Sequence, residues 1–377
     1  MNISPRERFL DICHFKRPGD LWLKDLFWQD TLEEWVKQGA PKEIVPTDER
    51  EQISGTAHSL DNYFQQDTWR WLAGDFGRQR NSRYKPRIIS EDEHSITYIN
   101  SNGQTVKQLK GSKGMPMYLD WPVKDRATWN EYKKRLDPNR PNLLPDNWDD
   151  IVQEINNENK PVALPVGSFY GYLREWVGTE NILYMFYDDP GLVEDMMDQV
   201  LHLETEVIKR VLKDIKIDMA TFWEDMAYKA GPLISPAMVR KFMMPRYKKI
   251  TDLLHSYGVD VIFVDSDGNV EQLVPLWLEV GINYVWPFEV AAGNDVVAMR
   301  KKYGKDLIIG GGIDKRALIK GKEAIREEVM SKVPFLLEQG GYFPSVDHYV
   351  PPDVTFENYC YFVNLLREVA GLKKLSF

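Results

Sequence analysis

The chain has 377 residues, 43% of them hydrophobic and 28% charged, with a net charge of −9. This is ordinary globular usage. It excludes disorder for the bulk of the chain, and no apolar run is long enough to span a bilayer. The acidic balance, without blocks of like charge, gives no footprint for nucleic acid, and the two cysteines, Cys13 and Cys360, exclude both a disulfide framework and a cysteine-rich metal site.

The N-terminal residues lack an apolar signal region, so a cytoplasmic location is expected. Ser4-Pro5-Arg6-Glu7 is a helix start signal. Leu21-Trp22-Leu23 reads as a short strand and Thr31 to Lys37 as a helix. Ile96–Ile99 and Thr105–Lys107 flank the turn sequence Asn100-Ser101-Asn102-Gly103, which predicts a β-hairpin. The Pro- and Asn-rich stretch Pro138–Pro145 reads as a connection. Near residue 150 the composition changes. Apolar runs at Pro161–Val166, Met219–Trp223, Val261–Val264, Tyr284–Trp286, Leu307–Ile309 and Tyr342–Phe343 alternate with helix-like patterns at Leu192–Lys213, Pro236–Tyr257, Val270–Val280 and Lys322–Glu338. Repeated strand-then-helix units imply a parallel sheet with helical crossovers. The expected fold class is therefore α/β, a (β/α)8 TIM barrel. Residues 1–150 would form an N-terminal extension with the first barrel strand and the hairpin. Residues 151–377 would form the barrel body, in one integrated domain. An open doubly wound sheet is the alternative, but Gly310-Gly311-Gly312 lacks its phosphate-loop spacing.

In a barrel, the residues that follow each strand face one shared mouth. Glu224-Asp225 follow the run ending at Trp223, and Asp265-Ser266-Asp267 follow Val264. Glu289 comes just after Trp286, Asp314 after the Gly310–Gly312 run, and Asp347-His348 after the last strand. One reading is a carboxylate-lined mouth that holds a cation or moves protons. The other is helix capping, since Asp265, Asp267 and Asp314 all precede helix-like patterns and Asp is a preferred cap. The set as a whole reads as functional. Of the six histidines, His348 alone stands at a strand mouth. Tyr170 and Arg174 follow another strand end. Arg174 could bind an acidic substrate group or pair with Glu175.

The segments WPVKDRATWNEYKKRLDP (121–138), GSFYGYLREWVGTENILYMFYDDPGLVEDMM (167–197), GPLISPAMVRKFMMPRYKKI (231–250), GGIDKRAL (311–318) and DHYVPPDVTFENYCYFVNLLRE (347–368) together resemble the uroporphyrinogen decarboxylase superfamily. The resemblance implies an eight-stranded α/β barrel and one of two activities: cofactor-free porphyrinogen decarboxylation, or zinc-dependent methyl transfer involving corrinoid proteins. The decarboxylases grip their polycarboxylate substrate with an N-terminal arginine-rich stretch. The matching place here, Asp20 to Trp28, holds no arginine, and an acidic mouth would repel such a substrate. In the methyltransferases a His-x-Cys-Gly-Asn-like motif and a later Cys bind zinc. They match Asp265-Ser266-Asp267-Gly268-Asn269 and His348. The resemblance therefore implies zinc or another divalent metal on Asp265, Asp267 and His348, with Glu224 or Glu289 as the fourth ligand, a harder donor set than thiolates. It implies Glu224, His348 and Tyr170 as catalytic groups, and Trp22, Trp28, Arg174, Glu289 and Asp314 as substrate-binding ones. The expected partners are a small methylated substrate and a protein that carries the corrinoid, and the resemblance leaves room for a homodimer. A uroporphyrinogen decarboxylase-type lyase without metal is the alternative, and a non-enzymatic tetrapyrrole-binding protein is a third reading.

Overall fold

The computed structural model describes residues 3–46, 58–72, 84–111, 115–140 and 143–377. Helix Pro5–Cys13 opens it. Ser4 Oγ accepts the Glu7 N–H while Glu7 accepts the Ser4 N–H, a reciprocal cap with Pro at the first helical position. The strands in chain order are β1 (Leu26–Phe27), β2 (Arg70–Trp71), β3 (Arg87–Glu91), β4 (Ser95–Ile99), β5 (Thr105–Leu109), β6 (Met117–Asp120), β7 (Val162–Pro165), β8 (Met219–Trp223), β9 (Ala227–Tyr228), β10 (Gly231–Pro232), β11 (Ile262–Asp265), β12 (Tyr284–Trp286), β13 (Ile308–Gly310), β14 (Tyr342–Phe343) and β15 (Tyr349–Val350).

Seven strands form one parallel sheet in the order β14-β13-β12-β11-β8-β7-β2. Long amphipathic helices make the crossovers, among them Pro190–Asp214 and Lys322–Gln339. The sheet is curled. In a flat sheet β7 and β14 would stand five strand spacings apart, roughly 24 Å. Yet Ala163 of β7 and Phe343 of β14 share one buried cluster with Met219, Val261, Tyr284 and Ile308, plugged by Phe9 and Ile12 of the first helix. The Phe9 ring lies 5.6 Å from Phe343 at one edge of the sheet and 6.5 Å from Trp69 beside the other.

Among the described residues, no backbone ladder joins β14 to β2. The expected strand at Leu21–Leu23 sits at this gap but forms no ladder. Its neighbours are tied through carboxylates: Asp67 accepts the Leu23 N–H and Asp25 accepts the Val346 N–H. Arg70–Trp71, within the aromatic stretch Trp69-Arg70-Trp71-Leu72, supplies a strand that the sequence reading did not include. The predicted hairpin is present as β4 and β5, around the Asn100–Gly103 turn, and it widens into an antiparallel sheet β3-β4-β5-β6. The helix expected over Pro236–Tyr257 is broken into Pro236–Met238, a π-turn at Val239–Met243, and Met244–Ser256, with Pro245 in the first turn of the last piece. No helix of the described residues is long and apolar enough to cross a membrane.

Candidate functional site

Along β11 the side chains alternate. Ile262 and Val264 are buried towards the helices, whereas Phe263 and Asp265 are half-buried and face the inside of the curl. The ladder fixes their neighbours. Asp265 is paired in register with Trp223 of β8 on one side and Trp286 of β12 on the other. Register partners in a parallel sheet point to the same face, so the carboxyl ends present a row Trp223–Asp265–Trp286 with Phe263 beneath it.

The acids divide into two groups. Asp314 caps helix Lys315–Lys320 by accepting the Arg316 N–H, and it holds the Arg316 guanidinium through both oxygens. The capping reading is right for this residue, which is thereby engaged rather than offered to a substrate. Asp347 is fully buried and accepts the Val290 and Lys315 N–H groups. Asp265 and Asp267, by contrast, cap nothing. Burial, then Asp267 and Asp225, push the Asp265 carboxyl well above its usual range. Burial, then Asp225 and Glu289, push Asp267 up to about 7, against the opposing pull of Lys315 and Arg174. One Asp267 oxygen is buried without a hydrogen-bond partner. The other lies 3.6 Å from His348 Nε2. Burial, and next Lys315, push that imidazole down to about 4, so the ring is uncharged near neutral pH and the contact is not an ion pair. His348 stacks on Trp286 at 5.7 Å and also meets Trp28 and Tyr349. Its φ of 106° and that of Asp225, 46°, are left-handed values at non-glycine positions, strain of the kind that collects at working sites.

The two cations at this mouth are already paired. Arg174 donates to the Asp225 carboxylate at 2.7 Å and to its carbonyl at 2.8 Å, with the guanidinium 5.3 Å from the Trp223 ring centre. Glu175, the partner weighed from sequence, instead accepts from Gln104. Lys315, which sequence reasoning did not single out, donates to the Asp347 carbonyl and lies 3.7 Å from Glu289. Glu289 also accepts the Gly268 N–H.

Two expectations change on this geometry. Trp22 is 1% exposed and belongs to the aromatic layer at the amino ends of the strands, packed on Phe9 and Phe343, so it does not line the mouth. Trp28 does stand at the rim, half exposed and stacked on Tyr349 at 4.6 Å. Glu224 is fully buried. It accepts Ser168 O–H at 2.9 Å, Phe169 N–H at 2.8 Å, Tyr170 N–H at 2.7 Å and Gly171 N–H at 3.4 Å. It is a positioning residue for the turn that carries Tyr170 and Arg174. Burial outweighs these donors and raises its pKa. Tyr170 is fully buried, and its hydroxyl has no partner, with Arg174 and Asp225 as its charged neighbours.

The metal implied by the resemblance does not fit these side chains. Glu224 is already taken up by Ser168 and by backbone donors. Among the described residues, no three His, Cys, Asp or Glu side chains are grouped to hold an ion. Trp223, Phe263, Trp286 and Tyr349 were missed from sequence. Counting back two residues from Asp265 and across to the equivalent strand ends would have found the first three.

A family model described as uroporphyrinogen decarboxylase matches residues 103–369, well over half of the chain. The chain belongs to the uroporphyrinogen decarboxylase family. A curated uroporphyrinogen decarboxylase from Carboxydothermus hydrogenoformans is 26% identical over 149 residues, which cover 37% of this chain and 38% of that protein's own length. Among solved structures, a methyltransferase from Methanosarcina mazei matches with a TM-score of 0.60 at 13% identity, over 97% of this chain and 99% of that one. This likeness is one of fold. A B12-independent methionine synthase from Shewanella sp. W3-18-1 is more distant, with a TM-score of 0.44 at 11% identity over 94% of each chain. The family model and the curated relative both carry the name of an enzyme, uroporphyrinogen decarboxylase.

Proposed function

We propose that this member of the family is a methyltransferase. It takes a methyl group from a small methylated compound and passes it to a corrinoid carried by a partner protein. The carrying observation is the charge of the mouth. Asp225, Asp265, Asp267 and Glu289 stand among indole and phenyl rings, and the cations Arg174 and Lys315 are already paired with acids. A porphyrinogen bearing many carboxylates would meet buried acids, and no unpaired cation among the described residues of the mouth, in a poorly solvated pocket. A small methylated compound would meet aromatic walls and acids able to hold charge or protons. Near neutral pH Asp267 is poised to keep or release a proton. Leu21–Leu23 would serve as the eighth wall of a closed barrel. The reaction belongs in the cytoplasm, where the buried Cys13 and Cys360 remain thiols.

Metal-free decarboxylation is the second reading, favoured by the match to a curated decarboxylase. One assay separates the two. Purified protein is incubated with a corrinoid protein and a panel of methoxylated and N-methylated donors, and demethylated product is followed by chromatography, with uroporphyrinogen as a parallel substrate. Product that needs both donor and acceptor is the expected result. Turnover of uroporphyrinogen without methyl transfer would reverse the assignment.

A further inference from the structure

We infer that the mouth selects a small alkylammonium compound, a cation bearing methyl groups on nitrogen, seated at Asp265 between Trp223 and Trp286. This rests on the mouth being the substrate site, and it names the class of substrate. The geometry is that of a charged floor between two π walls. Adjacent strands stand about 4.8 Å apart, so the two indoles that flank Asp265 in register are roughly 10 Å apart at their roots. A cation seated over Asp265 therefore has an indole rooted one strand spacing away on either side, the arrangement a cation–π contact can use. Phe263 closes the lower side, two residues back on the same face.

Three further observations point the same way. Trp223 already receives one cation, the Arg174 guanidinium, which Asp225 neutralises. Asp265 and Asp267 have no such partner, and one Asp267 oxygen is buried unbonded. The unpartnered Tyr170 hydroxyl lies beside the Arg174–Asp225 pair at the end of this row. An ammonium ion would relieve the mutual repulsion of the carboxylates, whereas a neutral methoxy compound of equal size would leave it unchanged.

The full chain is titrated with choline and with dimethylbutanol, which has choline's shape with carbon in place of the charged nitrogen. Tryptophan fluorescence and heat are recorded at about pH 8, above the value of about 7 to which Asp267 is raised. Choline is expected to bind saturably and at least about tenfold more tightly than dimethylbutanol. Asp265→Asn is expected to remove most of that preference, and Trp286→Leu, a change outside the carboxylate set, to weaken choline binding about fivefold or more. Equal affinity for the two probes, no saturable choline binding, or an Asp265→Asn variant that still prefers choline would overturn the inference. Choline binding without methyl transfer from any donor would instead remove the proposed function and leave the ammonium site standing. Turnover of neutral methoxy donors with no ammonium binding would do the reverse.

Discussion

Replacing Glu224 tests how the mouth is built. Its carboxylate accepts three short hydrogen bonds, from Ser168, Phe169 and Tyr170, and a longer one from Gly171, all fully buried. Alanine would leave these donors facing a cavity. A buried unsatisfied donor costs about 1–3 kcal/mol, and partial relaxation brings three of them to roughly 3–6 kcal/mol. That is a large share of the ~5–15 kcal/mol that holds a typical domain folded. Glutamine keeps one acceptor oxygen but turns an N–H2 group toward backbone donors, so about 1–3 kcal/mol is expected. The same turn starts helix Gly171–Val177, which carries Arg174 to Asp225. Both variants should therefore lose choline affinity as well as stability. Urea unfolding followed by circular dichroism measures the first quantity, and the titration above measures the second. A Glu224→Ala protein within about 1 kcal/mol of the parent would refute the account of this carboxylate as the anchor of the turn.

Two further outcomes follow from the same geometry. Gly311 has φ +82°, and an added Cβ would lie 2.1 Å from the Pro287 carbonyl oxygen, a backbone atom that cannot swing aside. Gly311→Ala is expected to destabilise by about 3 kcal/mol or more, and a loss under about 1 kcal/mol in denaturant titration would contradict the close approach. Asp267 has the opposite sign. Its carboxyl is raised from the ordinary aspartate range to about 7, so the folded chain binds this proton more tightly than the unfolded chain, and the site's contribution to stability falls as pH rises from about 4 to 7. Asp267→Asn should therefore flatten that decline and gain stability relative to the parent at about pH 8. Thermal melts across this range that run parallel for the two proteins would count against the buried-acid reading.

Much of this protein was legible in the linear chain, because its signals are local and periodic. Apolar runs alternating with amphipathic stretches specify strand and crossover helix through residue spacing alone, and the acids after five of the six runs mark carboxyl ends. The pattern also gave the β4–β5 hairpin from its Asn-Gly turn. It did not give Arg70–Trp71, whose pairing with β7 makes it a strand. Nor could it tell Asp314, which caps its own helix, from Asp265, which caps nothing, since both precede helical patterns and differ only in which backbone amides come near. Nor did it show that Glu224 turns to the Ser168–Gly171 segment or that Trp22 packs on Phe9. Long-range contacts with the Ser168–Gly171 turn and with Phe9 decide where those side chains face. The sequence alone thus determined the alternation of elements and the ring of acids. Only the tertiary register, which lines up Trp223, Asp265 and Trp286 from three separated strands, decided what that ring can hold.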